Sequence, residues 1–197
     1  MRIGIVGGTF DPVHLGHIAM AEAARRCAGL DRALVIPAGV PPHRPQPEAR
    51  DEDRLAMCRL AVAGHPGLEV SDQELRRAGP SYTLLTLQEI RQEEPCADLY
   101  LVLGWDAARE LRSWHEPEQV LRLARVLVVP RPGLPDPTPE DFRAAGIPAD
   151  RIELCRIRTP VIGATDLRRE LRCGAVPPGE LDPAVAAYIE AHGLYRG

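Results

Sequence analysis

Arg2-Ile3-Gly4-Ile5-Val6-Gly7-Gly8-Thr9-Phe10-Asp11-Pro12-Val13-His14-Leu15-Gly16-His17 decides both the fold and where its chemistry should be sought. Ile3–Val6 is a near-continuous apolar run of strand length, the pattern of a strand covered on both faces. It passes through a glycine pair into a small-residue-rich segment that reads as a helix from Leu15 to Ala28. A strand feeding a helix through glycines is an entry unit of a parallel α/β sheet.

The alternation continues along the chain. Ala33–Ile36, Leu68–Val70, Leu99–Leu103, Val126–Val129 and Ile152–Leu154 read as further parallel strands. Helices are expected at Asp53–Ala63, Tyr82–Glu93, Ala107–Trp114, Pro139–Ala145, Asp166–Cys173 and Pro183–His192. Thr138-Pro139-Glu140-Asp141 and Asp182-Pro183 supply an N-cap followed by proline at the first helical position, and Gly174 and Gly193 fall where a C′ glycine belongs. The expected fold class is α/β: a doubly wound, mainly parallel sheet with helices on both faces. Ligands in such sheets bind beyond the carboxyl ends of the strands. Two proline-rich stretches, Pro37–Pro47 and Pro130–Pro139, directly follow strands and read as semi-rigid loops within one domain.

Composition sets the bounds. The 197 residues are 45% hydrophobic and 26% charged, which suits a single globular domain spanning 1–197. A net charge of −4, from 24 cationic and 28 acidic residues, lacks the footprint of a nucleic-acid binder. No apolar run approaches the roughly 18 residues of a membrane span. The N-terminus enters its first strand after one arginine, so a cytoplasmic protein is expected. The five cysteines, Cys27, Cys58, Cys96, Cys155 and Cys173, are scattered with no C-x-x-C pair. They are expected to be free thiols, and their scatter argues against structural zinc.

The glycines at the end of the first strand let backbone N–H groups approach a phosphate, and the helix that follows adds a favourable dipole. His14 and His17, three apart at the helix opening, project toward one space. Imidazoles beside phosphate-binding amides suit nucleotidyl transfer; incidental histidines at a capped helix start, or a metal pair, are the alternatives. A zincin would need H-E-x-x-H. The segment does not spell G-x-G-x-x-G, the second strand ends in Pro37 rather than an acidic ribose ligand, and there is no Walker loop.

Gly7-Gly8-Thr9-Phe10-Asp11-Pro12-Val13-His14-Leu15-Gly16-His17 resembles the G-G-x-F-D-P-x-H-x-G-H element of the nucleotidyltransferase superfamily related to class I aminoacyl-tRNA synthetases, most closely its bacterial nicotinate-nucleotide adenylyltransferase family. The likeness continues through Pro41-Pro42-His43-Arg44, Pro80-Ser81-Tyr82-Thr83, Leu103-Gly104-Trp105-Asp106, Trp114, Arg131-Pro132-Gly133, Ile162-Gly163-Ala164-Thr165-Asp166-Leu167-Arg168 and the ending Tyr188-Ile189 to Gly193-Leu194-Tyr195. It covers the whole chain in the family's order.

The resemblance implies a Rossmann-like nucleotidyltransferase fold and transfer of AMP from ATP to nicotinate mononucleotide, giving deamido-NAD and pyrophosphate. His14, His17 and Arg168 are then the catalytic set. Gly7, Gly8, Thr9, Phe10, Gly104, Asp106, Ile162 and Thr165 join them around ATP. Arg44, Ser81, Tyr82, Thr83, Trp114 and His115 are implied to hold the mononucleotide. Mg²⁺ would arrive with ATP and keep most of its waters, so no carboxylate cage is expected. A homo-oligomer is left open, and neither nucleic acid nor membrane is expected as a partner.

The chain departs from the family's I-S-S-T element: Gly163 and Ala164 replace both serines. Backbone donors survive that change and hydroxyl donors do not, so ATP is expected to be held less tightly. Thr165 is expected to cap the last-but-one helix, with Arg168 one turn in. Leu85 stands where the family has Asp and is assigned to core packing. Asp106 could take a ribose hydroxyl or cap a helix; Trp114 could stack on the nicotinate ring or pack in the core; Arg168 on its own could be a solvated helix arginine. Ser81 is expected to cap the helix at Tyr82, leaving first-turn amides for the nicotinate carboxylate. The competing readings are another small-molecule nucleotidyltransferase of the same superfamily and a nucleotide-binding regulatory paralogue, the latter motivated by Gly163 and Ala164.

Overall fold

The structure is a computed structural model that describes residues 1–42, 45–130, 135–176 and 178–196. Six strands form one all-parallel sheet: β1 (Arg2–Gly8), β2 (Arg32–Pro37), β3 (Leu68–Val70), β4 (Asp98–Gly104), β5 (Ala124–Val129) and β6 (Ile152–Leu154), in the order β3-β2-β1-β4-β5-β6. The expected doubly wound α/β fold is therefore present, with its topological switch between β1 and β4. Each expected strand is found, some of them longer, β1 the most, running from Arg2 to Gly8.

The helices are α1 (Leu15–Ala28), α2 (Asp51–Val62), α3 (Gln73–Arg76), α4 (Thr83–Glu93), α5 (Trp105–Ala108), α6 (Pro117–Leu123), α7 (Pro139–Ala144), α8 (Ala164–Arg172) and α9 (Pro183–Ala191). Alternate strand residues face two separate cores. Val35, Tyr100, Val102 and Leu127 meet Ile18, Ala21 and Ala24 of α1, Met57 of α2, Leu167 of α8 and Ile189 of α9. Leu34, Leu101 and Val126 on the opposite face meet Leu84, Leu87 and Ile90 of α4, Val120 of α6 and Phe142 of α7. Both faces of the central strands are covered, which is why their sequences read as unbroken apolar runs.

Helix termini follow their capping chemistry. Thr138 caps α7 in a reciprocal box with Asp141, whose Oδ2 accepts the Thr138 N–H at 2.8 Å. Asp182 caps α9 by accepting the Ala184 N–H at 2.8 Å. Gly174 and Gly193 take left-handed φ values of 76° and 60°, as their C′ placement requires.

Three expectations are corrected. The segment 107–114 is not one helix: α5 begins at Trp105 directly after β4, and a 3₁₀ turn follows at Leu111–Ser113. Its bonds join residues three apart, Ser113 N–H to the Glu110 carbonyl at 2.9 Å and Trp114 N–H to that of Leu111 at 3.1 Å, so apolar spacing that suits a helix is wound more tightly. Leu85 is half-buried and lies outside both cores. The cysteines are not all free: Cys27, in the last turn of α1, is disulfide-bonded to Cys155, which follows β6, across 128 residues of sequence. Sequence spacing cannot disclose such a pairing, because only the fold brings the two positions together. The bond ties the helix that opens with His14 and His17 to the chain leading into α8. Burial pushes the Cys58 thiol up to about 12, which leaves it unreactive.

Alkylation of oxidised protein in denaturant should label three cysteines, Cys58, Cys96 and Cys173, and prior reduction should raise the count to all five. Five labels without reductant would show that the Cys27–Cys155 bond does not form.

Candidate active site

The ladder between β1 and β4 stops at Ile5 opposite Leu101, while β1–β2 pairing runs on to Gly8 opposite Pro37 and β4–β5 pairing to Gly104 opposite Val129. The carboxyl ends of β1 and β4 therefore part, and the crevice expected at a switch point opens between them. A Cβ placed on Gly7 or on Gly104 would meet nothing within 4 Å, so both strand ends border open space. Gly8 differs. Its Cβ would come within 3.0 Å of the Phe10 ring, so this glycine makes room for Phe10. Phe10 sits at φ 49°, a left-handed conformation that costs a non-glycine residue about 1–3 kcal/mol, and its ring is 98% buried.

That ring meets the edge of His17, with centroids 4.9 Å apart. His14 and His17 stack at 3.6 Å and 17°, so the structure brings the two imidazoles together as their spacing suggested. The His14 N–H donates to Nδ1 of His17 at 3.3 Å. A neutral imidazole that accepts at Nδ1 carries its proton on Nε2, which makes that nitrogen of His17 a donor. Close packing enforces this arrangement: a Cβ on Gly16 would lie 3.1 Å from Nδ1 of His14 and 3.5 Å from Ile162. Ile162 thus lies over the start of α1.

Arg168 reaches the same place from α8. Its Nη1 donates to the Asp11 carbonyl at 2.7 Å and its Nε to Oε1 of Glu48 at 3.0 Å. Thr165 does not cap this helix; Gly163 is the N-cap, with φ −112° and ψ 120°, and its carbonyl accepts the Leu167 N–H at 3.0 Å. The extended conformation at Gly163 starts the helix two residues earlier, leaving Thr165 exposed in its first turn among the N–H groups that lack intrahelical partners. Asp106 likewise lies in the first turn of α5, whose N-cap is Gly104, so the capping alternative is excluded.

Several residues that hold this site together carried no role in the sequence reading. The Asp11 side chain, 5% exposed, accepts the N–H groups of Glu48 at 2.8 Å and Ala49 at 3.1 Å and the Tyr195 hydroxyl at 2.7 Å. Burial, and then the Asp11 carboxylate, push the Tyr195 phenol above its ordinary value, so it remains a donor. Arg54, fully buried, donates to the Thr9 carbonyl at 2.7 Å and pairs with Asp51 at 2.6 Å. Asp11 and Tyr195 stood inside quoted motifs, whereas Arg54 lay in none of them.

A second cluster lies beyond β2 and β4. Tyr82 stacks on His115 with centroids 4.2 Å apart, which joins the start of α4 to the Trp114–His115 segment. Trp114 is half-buried and packs against the core on that face. Ser81 does not cap α4, whose N-cap is Tyr82 and whose first residue is Thr83. Instead its hydroxyl accepts the Gly39 N–H at 2.9 Å and its own N–H donates to the Val40 carbonyl at 2.8 Å. Bonding to the chain beyond β2 consumes the Ser81 oxygen, and it docks the helix against that loop. Arg44, expected at the mononucleotide, lies outside the described residues, as do His43 and the Arg131-Pro132-Gly133 motif. No group of three or more His, Cys, Asp or Glu suited to a metal ion occurs among the described residues, and no helix among them is long and apolar enough to cross a membrane.

Residues 5–170 match the family model described as cytidylyltransferase-like. Two relatives, each named "Probable nicotinate-nucleotide adenylyltransferase", are that of Roseiflexus sp. (strain RS-1), 47% identical over 98% of both chains, and that of Pseudomonas entomophila (strain L48), 43% identical over 99% of this chain and 95% of its own. The fold is shared with a solved Plasmodium falciparum nicotinic acid mononucleotide adenylyltransferase complexed with NaAD, at TM-score 0.77 and 19% identity over 98% of this chain and 97% of that one.

Glu74, buried beneath Ser81, offers a test of this second cluster. Burial raises its carboxyl above the ordinary value, while hydrogen bonds from Thr86 and Ser81 pull it partly back. A raised value means that its contribution to stability is complete below the ordinary glutamate value and is lost as pH climbs through the folded-state value. Glu74→Gln cannot titrate, so its melting temperature relative to the parent should rise between about pH 4 and pH 7. Parallel melting curves across that range would show that Glu74 is not titrating in the fold.

Proposed function

The chain belongs to the nicotinate-nucleotide adenylyltransferase family of cytidylyltransferase-like nucleotidyltransferases, and on that premise we propose that it transfers AMP from ATP to nicotinate mononucleotide in NAD biosynthesis. One observation carries the reading furthest: α8 delivers Arg168 to the carbonyl of Asp11, in the loop that ends at the stacked histidines. In this reading a guanidinium, two imidazoles and the first-turn amides of two helices serve the crevice between β1 and β4. That is a site for polyphosphate.

In the proposed reaction a phosphate oxygen of nicotinate mononucleotide attacks the α-phosphorus of ATP in line. The new P–O bond forms as the bond to the bridging oxygen breaks, and pyrophosphate leaves with that oxygen. No covalent enzyme intermediate is needed, so the protein supplies position and charge. Nε2 of His17 donates to the charge that develops on the phosphoryl oxygens, His14 holds the His17 ring, and Arg168 with the amides around Thr165 neutralises the β- and γ-phosphates. Gly7 and Gly104 leave the strand ends open to the nucleotide, and Asp106 is the ribose ligand. Magnesium enters as part of the MgATP substrate and retains its waters.

The acceptor lies against the Tyr82–His115 stack. Its ring rests on Trp114, and the amides of Thr83 and His115 face its carboxylate, for which the α4 N-terminus adds about 0.3–1 kcal/mol. Arg44 is the expected ligand for its phosphate. Cytoplasmic residence is part of this proposal, as the compartment where such substrates meet.

His17→Ala should lower turnover about 10²–10³-fold, the usual cost of losing one preorganised donor to an oxyanion. Pyrophosphate release, followed with each mononucleotide in turn, should be efficient with the nicotinate form and poor with the nicotinamide form. Trp114→Ala should weaken the acceptor by about 1–3 kcal/mol while leaving the ATP requirement unchanged. Equal use of both mononucleotides would overturn the acceptor assignment; His17→Ala turnover within about threefold of the parent would remove His17 from the transition state.

A further inference from the structure

Glu48 lies in the segment between β2 and α2, and its carboxylate is engaged in a way that the reaction above does not use. Oε1 accepts Nε of Arg168 at 3.0 Å and also a close hydrogen bond from Nη2 of Arg172. The two arginines are four apart on α8, one turn above the other on the same face. One carboxylate oxygen therefore bridges two guanidinium groups at the edge of the triphosphate crevice. The Glu48 backbone is held separately, through its N–H to Oδ2 of Asp11 at 2.8 Å.

This arrangement is that of an oxyanion on a two-arginine clamp, and carboxylate and phosphate oxygens satisfy guanidinium donors in the same manner. The Glu48 side chain is 41% exposed and those of Arg168 and Arg172 are 21% and 43% exposed. Ion pairs so open to water are weak and readily exchanged. A triphosphate brings several charges to the same donors, where Glu48 brings one.

We propose that the Glu48 carboxylate is an internal stand-in for a phosphate of ATP, holding Arg168 and Arg172 in place in the free enzyme and yielding both to the incoming triphosphate, with Arg172 as a second cation of that site. The inference rests on the adenylyltransferase reading for its substrate. Displacement makes Glu48 a competitor of the nucleotide, and once displaced it remains a like charge beside it. Glu48 thus sets how much ATP the enzyme requires. Arg172 also supplies a cation to a site from which Gly163 and Ala164 have removed two hydroxyls.

Glu48→Gln removes the charge and keeps both the shape and the backbone anchor on Asp11. Its dissociation constant for inorganic tripolyphosphate, measured by calorimetry, should fall about two- to fivefold, and its KM for ATP should fall in parallel while that for the mononucleotide stays fixed. Arg172→Met should shift both tripolyphosphate binding and the ATP requirement the other way, with an unchanged melting temperature. Tripolyphosphate binding to Glu48→Gln that is equal to or weaker than the parent's would overturn the stand-in role; unchanged binding to Arg172→Met would remove Arg172 from the site. Because the titration needs no turnover, a parent enzyme inactive with nicotinate mononucleotide would overturn the functional reading while leaving this test intact.

Discussion

A carboxylate removed from water must find donors, and that of Asp11 finds them on two distant parts of the chain. Its two oxygens accept the N–H groups of Glu48 and Ala49 and the hydroxyl of Tyr195, while its carbonyl accepts Arg168. The loop after β1 is thereby joined to the segment before α2, to the C-terminal residues and to α8. Two of these carry residues of the proposed phosphate site, Glu48 before α2 and Arg168 on α8. Losing a partner here leaves a buried charge short of a donor, which costs more than the hydrogen bond itself contributes. Asp11 touches no reacting atom in the proposed chemistry; it determines where Arg168 and Glu48 stand.

Around that junction the sheet supplies location and the histidines supply direction. The crevice exists because β1 and β4 stop pairing before they end, a property of strand order alone. What suits it to the proposed nucleotide chemistry is the geometry at α1. A backbone N–H aimed at Nδ1 of His17 fixes the ring's Nε2 as a donor, and the strained Phe10 packs against that ring. These constraints favour a ring already oriented before substrate arrives, and preorganised donors are the ones that stabilise developing charge.

The order of elements and the place of the candidate crevice were legible from residues 2–17 and the recurring apolar runs, because strands covered on both faces read as unbroken apolar stretches. The capping residues Thr138 and Asp182 were legible for the same local reason. The caps assigned to Ser81 and Thr165 were not, since each depends on a partner distant in sequence or on a backbone angle. Ser81 is drawn to Gly39, and the extended Gly163 starts α8 early. α6 went unread because Glu116, ahead of Pro117, adopts a left-handed conformation that its residue type does not announce. The disulfide, Asp11's partners and the clamp on Glu48 are all contacts across more than 35 residues. Composition and spacing carry no information about such contacts; only the fold creates them.

The bond from Tyr195 to Asp11 spans 184 residues. Ribosomal synthesis runs from the first strand outward, so a nascent chain makes the glycine–histidine loop 184 residues before the Tyr195 hydroxyl that bonds its carboxylate. Until residue 195 has emerged, the Asp11 carboxylate has one acceptor position that only water can fill, and the loop retains access to solvent. Completion of this loop therefore runs against the order of translation: it is made early and closed only by a residue made much later.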